Sequence, residues 1–492
     1  MALQVDQLRH MAEHHPEEVA YVDLARGQEW TFREWEETSN RLARGLIDHG
    51  VAPGDRVAIF LDGDEVLAWI TAYAAIHKAG GVAVPTNTRL SVRELDAVLG
   101  HAEPTVVVTS SRLAPTLGRA TVPTLRHVIE VDGVDWETWL AHSSTAIQVA
   151  TRGDDLADIM YTSGTTGLPK GIAVHHDGLH MIRNGTPKWG GQQWFHGSPL
   201  FTFAGIAFIY NPMKMGMGAL YLPRFDAGTW LDVVEQRRPS MAFLVPAMVQ
   251  LLLGHERFDS ADLSSLTVLS IGSAPLPPTL HRTIADRLPD AAVTNNYSMT
   301  EAGTCFTYLP REELERRAGS VGIPMGTEIR IGDAAGEPLP PDEIGEVLIK
   351  VGTKHREYYR DPEATAATWS GEWLHSGDLG YLDADGFLYI SGRAKDVIIR
   401  GGNNIHSADI EAVLYEHPGI AEAAVAAVPH DVLGEDVGAW VVARDDSGLT
   451  AEDVTEFCRE RLADYKVPRV VTFVDELPRN PTGKVLKQQL TN

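Results

Sequence analysis

Cysteine is nearly missing from this chain: among 492 residues there are two, Cys305 and Cys458. They lie far apart, lack metal-ligand spacing and read as buried or idle thiols. Basic residues are short as well. Lys and Arg number 42 against 67 Asp and Glu, a formal charge of −25, which argues against nucleic acid or an anionic membrane surface as the main partner. A polyanionic ligand would need local basic groups inside a repulsive overall field. No long hydrophobic run is present; the longest, Val66 to Ile76, is too short to span a bilayer. The opening M-A-L-Q-V-D-Q-L-R-H has no apolar segment of the secretory kind. Repeats, low-complexity tracts and long charged blocks are absent too. These absences point to a soluble, cytoplasmic protein, and 44% apolar residues predict large cores in more than one domain.

What is there has the rhythm of an α/β protein. From about Val57 to Asn296 short β-branched runs alternate with helical stretches. Strands are expected at Val57–Leu61, Val82–Val84, Asp158–Thr162, Ala219–Leu222, Met241–Leu244 and Leu266–Ile271, and helices at Glu65–Lys78 and Gly228–Arg237. Such alternation predicts parallel sheet with crossover helices. Residues 327–351 change character to two antiparallel strands around a Gly/Pro turn. After Gly392 a compact pattern restarts, with helices at Ser407–His417 and Thr450–Leu462 and strands near Ala423–Val428 and Gly438–Val442.

One stretch is rich in phosphate-binding chemistry. Residues 161–171 read Y-T-S-G-T-T-G-L-P-K-G. Gly164, Gly167 and Gly171 allow positive φ and close backbone approach, so that amide N–H groups can form an anion nest. Thr162, Ser163, Thr165 and Thr166 add hydroxyls, and Lys170 adds a cation. It is not a Walker loop, whose lysine is followed by Ser or Thr. The loop follows a predicted strand, and α/β sheets bind ligands beyond the carboxyl ends of their strands. A polar surface turn is the competing reading for such a composition.

Four further strings accompany it: N-N-Y-S-M-T-E-A-G (Asn295–Gly303), W-L-H-S-G-D-L-G-Y (Trp373–Tyr381) continued by G-F-L-Y-I-S-G-R-A-K-D (Gly386–Asp396), I-R-G-G-N-N-I-H-S-A-D-I-E (Ile399–Glu411) and R-N-P-T-G-K-V-L-K (Arg479–Lys487). Together, in this order, they resemble the acyl-adenylate-forming superfamily, which includes acyl-CoA synthetases, free-standing adenylation domains and beetle luciferases. The resemblance runs from Thr31–Trp35 through Val84–Leu90 to Lys484.

The resemblance implies a large N-terminal domain over 1–392, with parallel-type sheets, flanking helices and a small β-barrel-like part. A hinge at 393–396, centred on Lys395, would join it to a mobile α+β domain over 397–492. ATP and CoA would be substrates and Mg²⁺ the metal. Residues 162–167 and Lys170 would hold the phosphates, with Thr166 and Glu301 at the metal; magnesium favours carboxylate, phosphate oxygen and water. Tyr297 would pack on the adenine, with Asn296 and Ser298 also at the nucleotide, and Thr300 would bond the α-phosphate. Asp378 would accept from both ribose hydroxyls, as a carboxylate can, with Arg393 beside it. Gly483 precedes Lys484, so that a loop can present this amine as the catalytic cation where carboxylate meets α-phosphate. Gly401 and Gly402 would border the CoA channel, with a tight turn into a helix capped by Ser407 as the other reading. Thr202, Phe203, Gly272, Ser273 and Ala274 would line the acyl pocket.

Two positions depart from the family pattern. Ser298 stands where glycine is usual and would narrow the acyl end. Thr202, in P-L-F-T-F-A-G, stands where a histidine or other aromatic gate is usual, with Phe203 next to it as a substitute; adenylation should survive this more surely than thioester formation. Phe203–Tyr210 with Met213, Met215 and Met217 is read equally as acyl pocket or plain core. Asp226 is read as a helix N-cap, Lys487 as a solvated tail lysine, and the i,i+4 pair His176 and His180 as no metal site. The function implied is an AMP-forming carboxylate–CoA ligase. Its rivals are loading of an acyl carrier protein, luciferase-like oxygen chemistry and a non-catalytic nucleotide binder. An amino-acid substrate is disfavoured, because no acid lies within Phe201–Tyr210 to pair an ammonium. A monomer and a homodimer both stay open.

Overall fold

The computed structural model describes residues 3–118, 122–148, 151–162, 169–303, 305–444, 447–480 and 484–490. Alternation of side chains along the strands explains its layering. In Arg56–Phe60, Val57 and Ile59 join one buried cluster while Ala58 and Phe60 join another. The sheet is therefore covered on both faces, as the near-continuous apolar run requires. Its strand order is Glu357–Tyr358, Lys170–His175, Leu156–Thr162, Val82–Pro85, Arg56–Phe60, Val106–Thr109 and His127–Glu130. The last five are mutually parallel, and the first two are antiparallel additions.

A second seven-stranded sheet runs in the order Ala292–Asn295, Val268–Ile271, Met241–Leu244, Gln192–His196, Met217–Tyr221, Val19–Asp23 and Gln28–Thr31. Between the two sheets lie the helices Phe32–Asp48, Val66–Lys78 and Phe203–Lys214, whose side chains share one core with both. Val66–Lys78 is apolar all round because it is covered on every side. Outer helices cover the far faces: Val92–Ala102 on the first sheet, and Ala227–Arg237 with its successors on the second. The predicted strands and helices over this region are present, with ends shifted by one or two residues. The predicted helix at Glu65 begins instead as a 3₁₀ turn, Gly63–Glu65.

A third sheet is antiparallel, in the order Phe306–Tyr308, Ser320–Met325, Leu388–Arg393, Trp373–Leu382, Gly345–Val351 and Thr327–Gly332. Ser320–Met325 and Thr327–Gly332 lie near opposite sides of it, yet only Gly326, at φ 72°, connects them. A single residue spans about 3.8 Å between Cα atoms, so the sheet must curl toward closure, which gives the barrel-like part.

After Arg393 the chain builds a separate sheet of Asn403–His406, Val397–Arg400, Gly434–Ala443 and Ile420–His430, with Val470–Phe473 parallel to Gly434–Ala443. It packs its own core around Ile398, Ile405, Val425, Val437 and Val441. Both helices here are shorter than predicted, Ser407–Leu414 and Ala451–Arg459. Cys305 and Cys458 are both free and buried. No helix among the described residues is long and apolar enough to cross a membrane.

Candidate active site

Strand ends gather the candidate residues. Val268–Ile271 and Ala292–Asn295 are parallel and pair Ile271 with Asn295, so the segments leaving them run side by side. A Cβ on Gly272 would lie 3.3 Å from the Asn296 carbonyl and 3.5 Å from Phe243. This places the 272–274 segment beside the Asn295–Gly303 string. Asn296 also donates through its side chain to Ser270. Ser273 is exposed and holds φ 67°, a left-handed conformation that costs a non-glycine residue energy and concentrates at functional sites.

From this segment Tyr297 reaches across to the third sheet. Its hydroxyl donates to Asp378 Oδ2 at 2.7 Å, while Arg393 Nε meets Asp378 Oδ1 at 2.8 Å. Asp378 and Arg393 are cross-strand partners in the Trp373–Leu382 and Leu388–Arg393 pair, which fixes their meeting. Burial and the adjacent Asp378 charge raise the Tyr297 phenol well above the usual tyrosine range. A carboxylate offers about four acceptor sites, so Asp378 retains capacity for further donors.

Lys484 arrives at the same place from the last stretch of the chain. It lies beside an antiparallel bridge of Arg479 with Val485; its N–H donates to Asn480 Oδ1 at 2.9 Å and its carbonyl accepts from the Asn480 N–H at 2.8 Å. Burial lowers its ammonium below the ordinary lysine value. The neighbouring Arg393 adds to that lowering, while Asp378 and Asp396 oppose it. A sequence separation of about a hundred residues is thus closed into one electrostatic cluster.

Thr162 and Lys170 pair across the Leu156–Thr162 and Lys170–His175 hairpin. The strands on either side of the glycine-rich string are therefore antiparallel neighbours. Ser163, Gly164, Thr165, Thr166 and Gly167 lie outside the described residues. The Lys170 ammonium lies 5.2 Å from the centre of the Tyr358 ring, and the Tyr358 hydroxyl is 3.4 Å from Glu301 Oε1. A magnesium ion that enters with a nucleotide needs only one or two carboxylates beside phosphate oxygens and water, and Glu301 fits that donor set.

Arg356 went unnoticed in the sequence, and it joins these parts. It is 5% exposed and donates at 2.5 Å both to the Thr300 carbonyl and to the Gly178 carbonyl. Its guanidinium carbon lies 4.5 Å over the Phe203 ring. Burial lowers it to about 10, with Asp158 and Glu301 opposing the shift. Asp158 is itself wholly buried and accepts from Tyr73 at 2.7 Å, with His77 Nε2 at 2.9 Å. Nothing in H-R-E-Y-Y-R-D marks the first of its two arginines as buried, since most arginines are solvated.

The two departures acquire local explanations or stay bare. Thr202 caps the helix Phe203–Lys214, accepting from Gly205 N at 3.1 Å and donating to Pro199 O at 2.7 Å; threonine is a good residue for that task. Ser298 is exposed. Of the apolar stretch, Phe203, Ile206, Ile209, Tyr210 and Met213 belong to the core, and Met215 is exposed. Asp226 is an N-cap as expected, accepting from Thr229 N at 2.8 Å.

Two readings in the C-terminal part are corrected. Ser407 is not the cap of its helix: His406 holds the cap position, and Ser407 is the first helical residue, its hydroxyl accepting from Lys487 Nζ at 2.7 Å. Lys487 is accordingly not a solvated tail lysine, for it also meets Glu411 at 2.7 Å. Gly401 and Gly402, at φ 56° and 87°, form the turn of a hairpin, with the strand Asn403–His406 intervening before the helix. A Cβ on Gly402 would meet nothing within 4 Å, so only the backbone conformation requires glycine there.

Residues 8–359 match the AMP-binding enzyme family and residues 409–484 match the AMP-binding enzyme C-terminal domain. The chain belongs to the AMP-binding enzyme family. It is 36% identical to the feruloyl-CoA synthase of Amycolatopsis sp over 472 residues, which cover 94% of each chain. It is 33% identical to the long-chain-fatty-acid–CoA ligase FadD13 of Mycobacterium tuberculosis, covering 98% of this chain and 97% of that one. The crystal structure of ATP-bound MatB from Rhodopseudomonas palustris superposes with a TM-score of 0.91 at 30% identity, covering 99% and 98%. An AMP-binding enzyme of this length thus matches its relatives across both of the family's domains.

Proposed function

We propose that this chain is an AMP-forming carboxylate–CoA ligase that works through an acyl adenylate. The observation that carries the proposal is the joining of Tyr297 and Arg393 on Asp378, with the Lys484 ammonium within range of the Asp378 and Arg393 charges. In the first half-reaction ATP lies with its phosphates on Thr162–Lys170, its adenine by Tyr297 and its ribose on Asp378. A carboxylate oxygen attacks the α-phosphorus. The new O–P bond forms as the bond to the bridging oxygen breaks, and pyrophosphate leaves. Lys484 neutralises charge where the carboxylate meets the phosphate, Thr300 bonds the α-phosphate, and Glu301 would hold magnesium, whose chemistry is to neutralise the phosphate oxygens.

In the second half-reaction the CoA thiolate attacks the acyl carbonyl. The C–S bond forms, the C–O bond to phosphate breaks, and AMP carries away the electron pair. The two steps need different surfaces in one place. We assign 393–396 as the hinge, with 397–492 turning about Lys395 to withdraw Lys484 and bring Gly401–Gly402 to the thiol channel. The independent core of the small domain supports that division.

We assign Phe203 and, behind Gly272, Phe243 to the acyl side; the Phe243 ring packs 4.9 Å from that of Phe208. Flat aromatic walls suit a flat acid, and a feruloyl-CoA synthase is among the relatives. We therefore assign an aryl or other planar acid as the substrate class. The test is release of AMP and pyrophosphate across a panel of aryl, short-chain and long-chain acids, with and without CoA. An aryl acid turned over at least about tenfold faster than any alkyl acid, a difference of about 1.4 kcal/mol, and yielding its CoA thioester, is the expected result. Preference for long alkyl acids would overturn the substrate class. Adenylate formation that ignores CoA but responds to a phosphopantetheinylated carrier protein would overturn the acceptor.

A further inference from the structure

We infer that Tyr358 is a positioning residue for the phosphate end of the site, holding Lys170 and Glu301 in one arrangement through the two sides of a single ring. The inference rests on the adenylate-forming reading and deepens it. No candidate motif in the sequence includes this residue. It lies on Glu357–Tyr358, a strand of two residues added to the edge of the first sheet, with Glu357 opposite Ala173 and Tyr358 opposite Ile172.

So short a strand would fray if ladder bonds alone held it, and here side chains hold it. The Tyr358 N–H donates to Thr365 Oγ1 at 2.9 Å, and the Arg356 carbonyl accepts from Trp369 Nε1 at 3.1 Å. The Tyr359 N–H donates to the Gly171 carbonyl at 2.8 Å, next to Lys170. Thr365 is itself on a helix, Pro362–Thr368, capped by Asp361. The strand thus forms a strap anchored at both ends, a rigid base of the kind that precise sites need.

On this base the ring presents its face toward Lys170 Nζ at 5.2 Å and its hydroxyl toward Glu301 at 3.4 Å. A cation within about 6 Å of a ring centre is attracted to its face, and a phenol donates to a carboxylate. Lys170 and Glu301 carry opposite charges and would serve the same phosphates, Lys170 as a cation and Glu301 by holding a magnesium ion that neutralises them. Without a neutral group between them they could pair with each other, leaving neither for the nucleotide. Tyr358 keeps them apart while orienting both. Its neighbour Arg356 fixes the Thr300 carbonyl next to Glu301, so the strap sets one further group of the same motif.

The test compares wild type with Tyr358→Phe and Tyr358→Leu by calorimetric titration with ATP, once with magnesium and once with EDTA. Tyr358→Phe keeps the ring face and removes the hydroxyl. It is expected to weaken Mg·ATP binding about three- to tenfold and to leave metal-free ATP binding within about twofold. Tyr358→Leu is expected to weaken both. Thioester formation from supplied acyl adenylate should stay within about twofold of wild type in each variant, since that step uses neither Lys170 nor Glu301. Equal weakening of the two titrations by Tyr358→Phe, or a parallel loss in the thioester step, would overturn the inference. If wild type itself released no pyrophosphate with any acid, the ligase reading would fall first and separately.

Discussion

At the scale of single residues, the site depends on charges whose surroundings set their behaviour. Lys484 is a cation held in a crowded, partly buried place with Arg393 beside it and Asp378 and Asp396 in opposition. Lys484→Ala should slow adenylation about 10²–10³-fold while thioester formation from supplied acyl adenylate stays largely intact. Equal losses in both half-reactions, measured separately, would show that the lysine does not act in the first step alone. The buried imidazoles make a different prediction. Burial pushes His196 down to about 3 and His176 down to about 2 from 6.5. Because these folded values lie below the unfolded one, the unfolded chain takes up the proton first, and stability falls as pH drops from 6.5 toward 3. At about pH 5 each wholly buried imidazole costs about 2 kcal/mol relative to neutral pH. Urea midpoints should fall between about pH 7.5 and pH 5, and His196→Gln should flatten that slope. An unchanged slope would mean that His196 protonates in the folded protein.

At the scale of elements, the strap from Arg356 to Tyr358 and the segment Asn295–Gly303 are fitted to each other. Gly303 holds φ 62°, and a Cβ there would lie 2.7 Å from the Arg356 guanidinium carbon. Gly303→Ala should displace Arg356, release the Thr300 carbonyl and cost about 1–3 kcal/mol of stability. Adenylation should drop by about tenfold or more, and a fully active, equally stable variant would remove Arg356 from the account. Much at this level was legible in the sequence. The strand Met241–Leu244 was readable to the residue, and Asp226 as a cap, because a short apolar run and a capping residue are local signals. The strap was not legible. Two residues of strand carry no periodicity, and they pair with Lys170–His175, which lies far away in sequence. Ser407 and Lys487 were misread for the same reason, since each is defined by the other across 80 residues.

At the scale of the whole molecule, strings far apart in sequence are brought together. Tyr297 follows a strand of the second sheet, Asp378 lies on the third, and one hydrogen bond of 2.7 Å joins them; the Lys484 ammonium, from the C-terminal part, feels the Asp378 charge. Nothing local in R-N-P-T-G-K announces that destination; only the resemblance did. If one site serves two steps by rotation, freezing the hinge should separate them. Lys395→Pro fixes φ in the 3₁₀ turn Ala394–Asp396, and should retain adenylation while thioester formation falls about a hundredfold or more, a loss of at least about 2.7 kcal/mol in the second barrier. Proportional loss of both steps would count against a moving domain. The most direct test of the account follows an atom. With a carboxylic acid labelled with heavy oxygen at both carboxyl positions, attack on the α-phosphorus must carry one labelled oxygen into AMP. One label per AMP and none in pyrophosphate is the predicted mass spectrum. Label in pyrophosphate or inorganic phosphate, or unlabelled AMP formed alongside thioester, would contradict the acyl-adenylate route.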